Sequence, residues 1–147
     1  MSSSRPSLVR HLLSSLLVLG LVVAAAPADA QRADRTGSPE LLAVKFHADW
    51  CGSCKRMGTL FTDLENKHDG KPVLFVELDL TNQTTRHRAR YLAGALGLDR
   101  AWREHGSKSG FVLLVDGKTR QPLRKLTSDQ SVKQMSAAIS EALASRS

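Results

Sequence analysis

The chain has 147 residues, a formal charge of +7 and 41% hydrophobic residues, enough apolar material for one domain with its own core. The basic balance favours acidic partners or an anionic membrane surface. Seven aromatic residues offer little for base stacking, so no nucleic-acid partner is expected. The only two cysteines, Cys51 and Cys54, close too small a loop to staple a fold.

Residues 1–30 read as a signal peptide. Arg5 and Arg10 form a basic start, Leu12 to Ala26 is an apolar run too short for an ordinary membrane span, and Ala28-Asp29-Ala30 has the spacing of a cleavage site. The expectation is an exported chain, periplasmic or extracellular, cleaved near Ala30. An uncleaved N-terminal membrane anchor is the alternative. Export places the cysteines where disulfides persist. Residues 31–39, with Gly37-Ser38-Pro39, read as a linker, and residues 40–147 as the folded domain.

Leu41 to Ala48 is nearly all apolar, as in a strand buried on both faces; Lys45 and His47 interrupt it and share a face. Gly52 to Lys67 reads as a helix, with Met57, Leu60, Phe61 and Leu64 at helical spacing and Gly70 and Pro72 beyond its end. Val73 to Leu80 is a second strand. Thr81 or Asn82 can cap a helix to about Leu96, whose stripe is Ala89, Leu92 and Leu96. A shorter helix spans Asp99 to His105. Phe111 to Val115 is a third strand, Asp116-Gly117 signals a two-residue hairpin, and Gln121 to Leu126 is a fourth strand. Thr127 and Gln130 have capping-box spacing for a last helix with Val132, Met135, Ile139 and Leu143 on its buried stripe. His68, His87 and His105 lie in polar segments and are expected at the surface. The order β-α-β-α-β-β-α predicts an α/β fold: a mixed central sheet of about four to five strands with helices on both faces.

Trp50-Cys51-Gly52-Ser53-Cys54-Lys55 places the cysteine pair at the strand-to-helix junction. Residues i and i+3 at a helix start share a face, which brings their Cα atoms within disulfide range, roughly 4.4–6.8 Å. Cys51 lies where unpaired N–H groups favour an anion, which lowers a thiol pKa; Cys54 lies one turn in and is less exposed. Cys51 is therefore the expected nucleophile and Cys54 the resolving thiol. Gly52 and Ser53 leave the turn open to a substrate backbone, and Trp50 offers an apolar docking surface.

With Phe46-His47-Ala48-Asp49 ahead of that motif, the sequence resembles the thioredoxin family over about Glu40 to Ala144. The resemblance implies a thioredoxin fold and thiol–disulfide exchange, with no cofactor beyond the Cys51–Cys54 disulfide. It implies protein thiols and disulfides as partners. A reductant needs an electron donor and an oxidant an acceptor, expected to be membrane-borne, and the chain length leaves no room for a separate dimerisation domain, so a monomer is expected. Three departures stand out. Gly52-Ser53 replaces the family's Gly-Pro. Lys45 stands six residues before the nucleophile, where an acid is usual; with Lys55, Arg56 and a protonated His47 it is expected to stabilise the Cys51 thiolate and raise the potential above the thioredoxin value of about −270 mV. The family's cis-proline is missing, its place falling within Ser109-Gly110-Phe111, where a trans peptide is expected because a non-proline cis bond costs about 2.5–4 kcal/mol. Two other readings follow from the same residues: a copper or zinc carrier using Cys51, Cys54 and His47, and a non-catalytic interaction domain presenting the basic segments Arg86 to Arg90 and Arg120 to Lys125.

Overall fold

A computed structural model describes residues 37–146, so the segment expected to be a signal peptide and most of the expected linker lie outside the described residues. Two apolar sets on alternating positions of the central strands build the molecule. β1 (Leu41–His47) is flanked on one side by β2 (Val73–Asp79), parallel, and on the other by β3 (Phe111–Asp116), antiparallel; β4 (Pro122–Thr127) closes the far edge in the order β2-β1-β3-β4. The four strands match the expected mixed sheet. Pro122, which lacks an N–H, takes the first place of an edge strand, where it does least harm.

Leu42, Val44 and Phe46 of β1 join Phe111, Leu113 and Val115 of β3 on one face, beneath α3 (Gln83–Ala95) and α4 (Asp99–His105). Leu41 and Ala43 join Val112 and Leu114 on the other, beneath α1 (Gly52–Met57), α2 (Leu60–Lys67) and α5 (Val132–Ala144). The period-two alternation of β1 and β3 therefore feeds two cores, as a strand covered on both sides requires.

Several boundaries differ from the sequence expectations. The single helix over residues 52–67 is two: Gly58, at φ 46° and ψ −124°, leaves helical space, and Thr59 starts α2. The Asp116-Gly117 hairpin is a longer loop, because Asp116 Oδ1 accepts the N–H groups of Lys118 and Thr119 while the Asp116 N–H donates to the Gln121 carbonyl. The last helix is capped by Ser131 and Gln134, not Thr127 and Gln130; the latter pair closes a separate turn, with the Gln130 side chain accepting the Thr127 N–H at 2.9 Å. Asn82 caps α3 with Thr85 as its reciprocal partner. The buried side of α3 is Ala89 and Ala93, whereas Leu92 is exposed.

Two of the three histidines expected outside are not. His68 is buried, its Nε2 3.0 Å from Ser136 Oγ on α5. His105 packs edge-on against Phe46 and Phe111, with centroids 6.1 and 5.5 Å away. His87 is exposed as expected.

Candidate active site

Residues Ala48 to Lys55 turn β1 into α1. The Cys51 N–H donates to the Ala48 carbonyl at 3.0 Å, which closes a tight turn. Cys51 then sits at the helix N-cap with extended backbone, φ −84° and ψ 118°, and its Sγ accepts the Cys54 N–H at 3.2 Å. A sulfur here takes the place that a serine or aspartate oxygen usually holds. Cys54 is buried one turn on. Its Sγ accepts the Ala48 N–H at 3.4 Å and faces the Phe46 carbonyl at 3.9 Å. The structure holds both cysteines as free thiols.

The two sulfurs differ in acidity. Burial pushes the Cys51 thiol up, but hydrogen bonds from the Cys54 side chain, from Ser109 and from the Cys54 and Ser53 backbone outweigh it, and its pKa falls below the ordinary thiol value. For Cys54 burial dominates; its hydrogen bond to Cys51 and repulsion by a Cys51 thiolate add to it, against the Ala48 N–H and Ser109, and its pKa rises. The surroundings favour the thiolate at Cys51 and the thiol at Cys54.

The wall beside Cys51 is Ser109-Gly110-Phe111. Gly110 has φ 91°, and its N–H donates to the Phe46 carbonyl at 2.8 Å. A Cβ at this position would lie 2.6 Å from Ser53 Cβ and 3.0 Å from Cys51 Sγ, so conformation and space both demand glycine. Ser109 interacts with both sulfurs and favours their thiolates. Phe111 is a core residue, stacked on Phe46 at a centroid distance of 5.0 Å. Every described peptide bond is trans.

Trp50 is 64% exposed and so is not core. Its Nε1–H donates to the Thr81 carbonyl at 3.0 Å, and Thr81 Oγ1 accepts the Asp49 N–H at 3.1 Å. The Thr81 N–H in turn donates to Asp79 Oδ1 at 2.8 Å. Burial raises the Asp79 carboxyl, but the Thr81 hydroxyl and N–H, then His47, bring it below the usual range. Sequence reasoning missed Thr81 and Asp79 as supports of the Trp50 loop. The signal was the parallel pairing of β1 with β2, which ends the two strands side by side, His47 against Asp79.

The charged residues divide. Lys45 is 9% exposed; its Nζ bonds Glu77 Oε2 at 2.8 Å, a partner set by register on β2, and lies 5.4 Å from the Phe61 ring centroid. Lys45 was expected to act on the Cys51 thiolate. Its ammonium is engaged by Glu77 instead, and the leading influences that lower Cys51 are hydrogen bonds rather than cations. The raised potential expected from Lys45 loses that basis. His47 Nε2 meets Asp49 Oδ1 at 3.1 Å, and its buried Nδ1 has no partner. Lys55 and Arg56 are exposed on α1, and Arg56 Nη2 donates to Ser53 Oγ at 2.9 Å. Among the described residues no three of His, Cys, Asp and Glu converge to hold a metal, so Cys51, Cys54 and His47 do not assemble the ligand set considered above.

Residues 30–92 match the thioredoxin family model. The chain is 40% identical over 52 residues to an H-type thioredoxin of Chlamydomonas reinhardtii, covering 35% of this chain and 45% of that one. It is 33% identical over 46 residues to a thioredoxin of Ictalurus punctatus, covering 31% and 43%. In these matches the chain spans less than half the length of its curated relatives. Among solved structures, the Edwardsiella tarda protein Trxlp aligns with a TM-score of 0.45 at 21% identity, over 76% of this chain and 92% of that one. Malassezia sympodialis thioredoxin aligns with a TM-score of 0.45 at 19% identity, over 77% and 86%. The family match begins ahead of β1 and runs through the cysteine pair into α3, over the same stretch whose strand-turn-helix path sets the acidity of Cys51 and Cys54; over residues 30–92 the chain is similar to the thioredoxin family.

Proposed function

We propose that this chain is an exported thiol–disulfide oxidoreductase of the thioredoxin family that exchanges the Cys51–Cys54 disulfide with protein or small-molecule thiols. The opposed acidities of the two sulfurs carry the reading: a half-buried Cys51 with lowered pKa beside a buried Cys54 with raised pKa. The Cys51 thiolate attacks one sulfur of a substrate disulfide. That S–S bond breaks, a Cys51–substrate bond forms, and the departing thiolate takes a proton from solvent. Cys54 then gives its proton to solvent and attacks Cys51 Sγ, which releases the second substrate thiolate and closes Cys51–Cys54. Two electrons pass from the pair to the substrate, and the same path run backwards oxidises a dithiol.

Export rests on the charged start, the apolar run and the Ala28-Asp29-Ala30 site, and predicts a mature chain beginning at Gln31. The partners are then protein thiols and disulfides outside the cytoplasm, with a membrane-borne donor or acceptor to reset the pair. The chain acts as a monomer, without a cofactor.

Insulin or glutathione disulfide exchange tests the reading. Cys51→Ser abolishes exchange, and Cys54→Ser accumulates a mixed disulfide on Cys51. A wild-type chain that exchanges neither substrate, or a Cys54→Ser chain that traps neither, overturns it.

A further inference from the structure

Arg56 lies on the exposed side of α1 and lays its guanidinium over the dipeptide between the cysteines. Nη2 donates to Ser53 Oγ at 2.9 Å, and Nη1 lies 3.7 Å from the point that a Cβ on Gly52 would occupy. The ion pairs among the described residues leave Arg56 out. Among the described residues its one hydrogen-bond partner is Ser53, and its remaining donors form a planar fork suited to a carboxylate.

Ser53 links this fork to the reacting atom. The point where a Gly110 Cβ would fall is 2.6 Å from Ser53 Cβ and 3.0 Å from Cys51 Sγ, so Ser53, Gly110 and the nucleophilic sulfur are packed around one spot. A guanidinium hydrogen-bonded to Ser53 is anchored two residues from Cys51, where any mixed disulfide would form. Gly52 adds no side chain between them.

We propose that Arg56 determines specificity, selecting disulfides that carry a carboxylate beside the reactive sulfur. The carboxylate can belong to an acidic residue flanking a polypeptide cysteine or to a small disulfide such as oxidised glutathione. The inference rests on the thiol–disulfide reading above and names its substrate class. Arg56 takes no part in the electron transfer. It holds the incoming carboxylate by charge-assisted hydrogen bonds while Cys51 attacks, and the chain's positive charge adds long-range attraction of the same sign.

The test uses the reduced full chain and three peptide disulfides that differ only in Glu, Gln or Lys beside the cysteine, with oxidised glutathione as a fourth substrate. Second-order exchange rates are measured at low and high salt, and the Glu-to-Gln ratio is read within each variant, so that any general loss of activity cancels. At low salt the Glu peptide exchanges about two- to fivefold faster than the Gln peptide, the range of an exposed ion pair, and the Lys peptide is slowest. High salt compresses the order. Arg56→Gln brings the ratio to one, Arg56→Lys keeps part of it, and Lys118→Gln at the other end of the sheet keeps all of it. If oxidised glutathione slows with Arg56→Gln as much as the Glu peptide does, small disulfides are within the class; if only the peptide slows, the class is polypeptide. Equal rates for the three peptides, or an order that survives Arg56→Gln, overturn the assignment, while exchange of the Gln peptide still upholds the oxidoreductase reading. No exchange with any substrate overturns both.

Discussion

Where β1 begins, the chain is fastened from several directions. The Gly117 N–H donates to the Glu40 carbonyl at 2.8 Å, Asp116 accepts the N–H groups of Lys118 and Thr119, and Arg146, just past α5, pairs with Asp116 Oδ2 at 2.9 Å. Where β1 finishes, backbone and side chains are left open: Trp50, Gly52, Lys55 and Arg56 are exposed, and Cys51 is half-covered. The glycines at the two ends show the contrast. Gly117 is needed because the Pro39 and Glu40 carbonyls lie against it, whereas Gly110 is needed because Ser53 and the Cys51 sulfur do. One end uses close approach to hold the fold, and the other uses it to hold the Cys51 sulfur against backbone.

Substitutions at the two ends should therefore separate stability from chemistry. The largest effect is expected at Gly117. A Cβ there would lie 1.8 Å from the Pro39 carbonyl oxygen and 2.6 Å from the Glu40 carbonyl carbon, both backbone, so Gly117→Ala should cost about 3 kcal/mol. Urea unfolding measures it, and a loss under about 1 kcal/mol would show that the two ends are equally yielding.

Asp116→Asn comes next. The Thr119 N–H is the chief cause that holds the carboxyl down at about 2, with the Lys118 N–H and Arg146 adding to it against burial. A folded pKa below the unfolded one contributes stability above the unfolded value, near 3.9, and that contribution is lost as pH falls through the folded one. The variant should thus lose on the order of 1–2 kcal/mol at neutral pH and converge on the wild type as pH falls below about 2. A deficit unchanged across that window would remove the ionised carboxylate from the account.

The smallest effect is expected at the open end. Ser109→Ala should leave the unfolding free energy within about 0.5 kcal/mol and move the pH midpoint of Cys51 alkylation upwards, because it removes a group that favours the thiolate. A midpoint that stays in place would leave the Cys54 and Ser53 donors as sufficient.

The elements that position the site were legible because their signals are local. The apolar run of β1, the cysteine spacing and the amphipathic stripe of α5 all appear where the residues predict. What escaped depended on distant or degenerate information. Glu77 opposite Lys45 follows from strand register, and Ser136 beside His68 from a contact 68 positions away in the chain. Thr127-x-x-Gln130 and Ser131-x-x-Gln134 carry the same capping pattern four residues apart, and only the path of the chain after β4 selects the second. At Asp116-Gly117 the aspartate side chain competes for the loop's own N–H groups, which a dipeptide signal does not include. At the site, the cysteines were readable from type and spacing, but the supporting roles of Thr81 and Asp79 were not, because β2 delivers them from the end of a neighbouring strand.

The joint at Gly58 and Thr59 divides what the hydrophobic pattern presents as one helix. A continuous rod from Gly52 to Lys67 would transmit any tilt at its first turn, by leverage, to its far end. With the axis broken after Met57, the segment bearing the sulfurs is a short helix of its own. Met57 is its buried foot, and α2 stays bedded in the core through Phe61 and Leu64. A change of bonding between the sulfurs then has a six-residue arm to bend rather than a whole helix to shift.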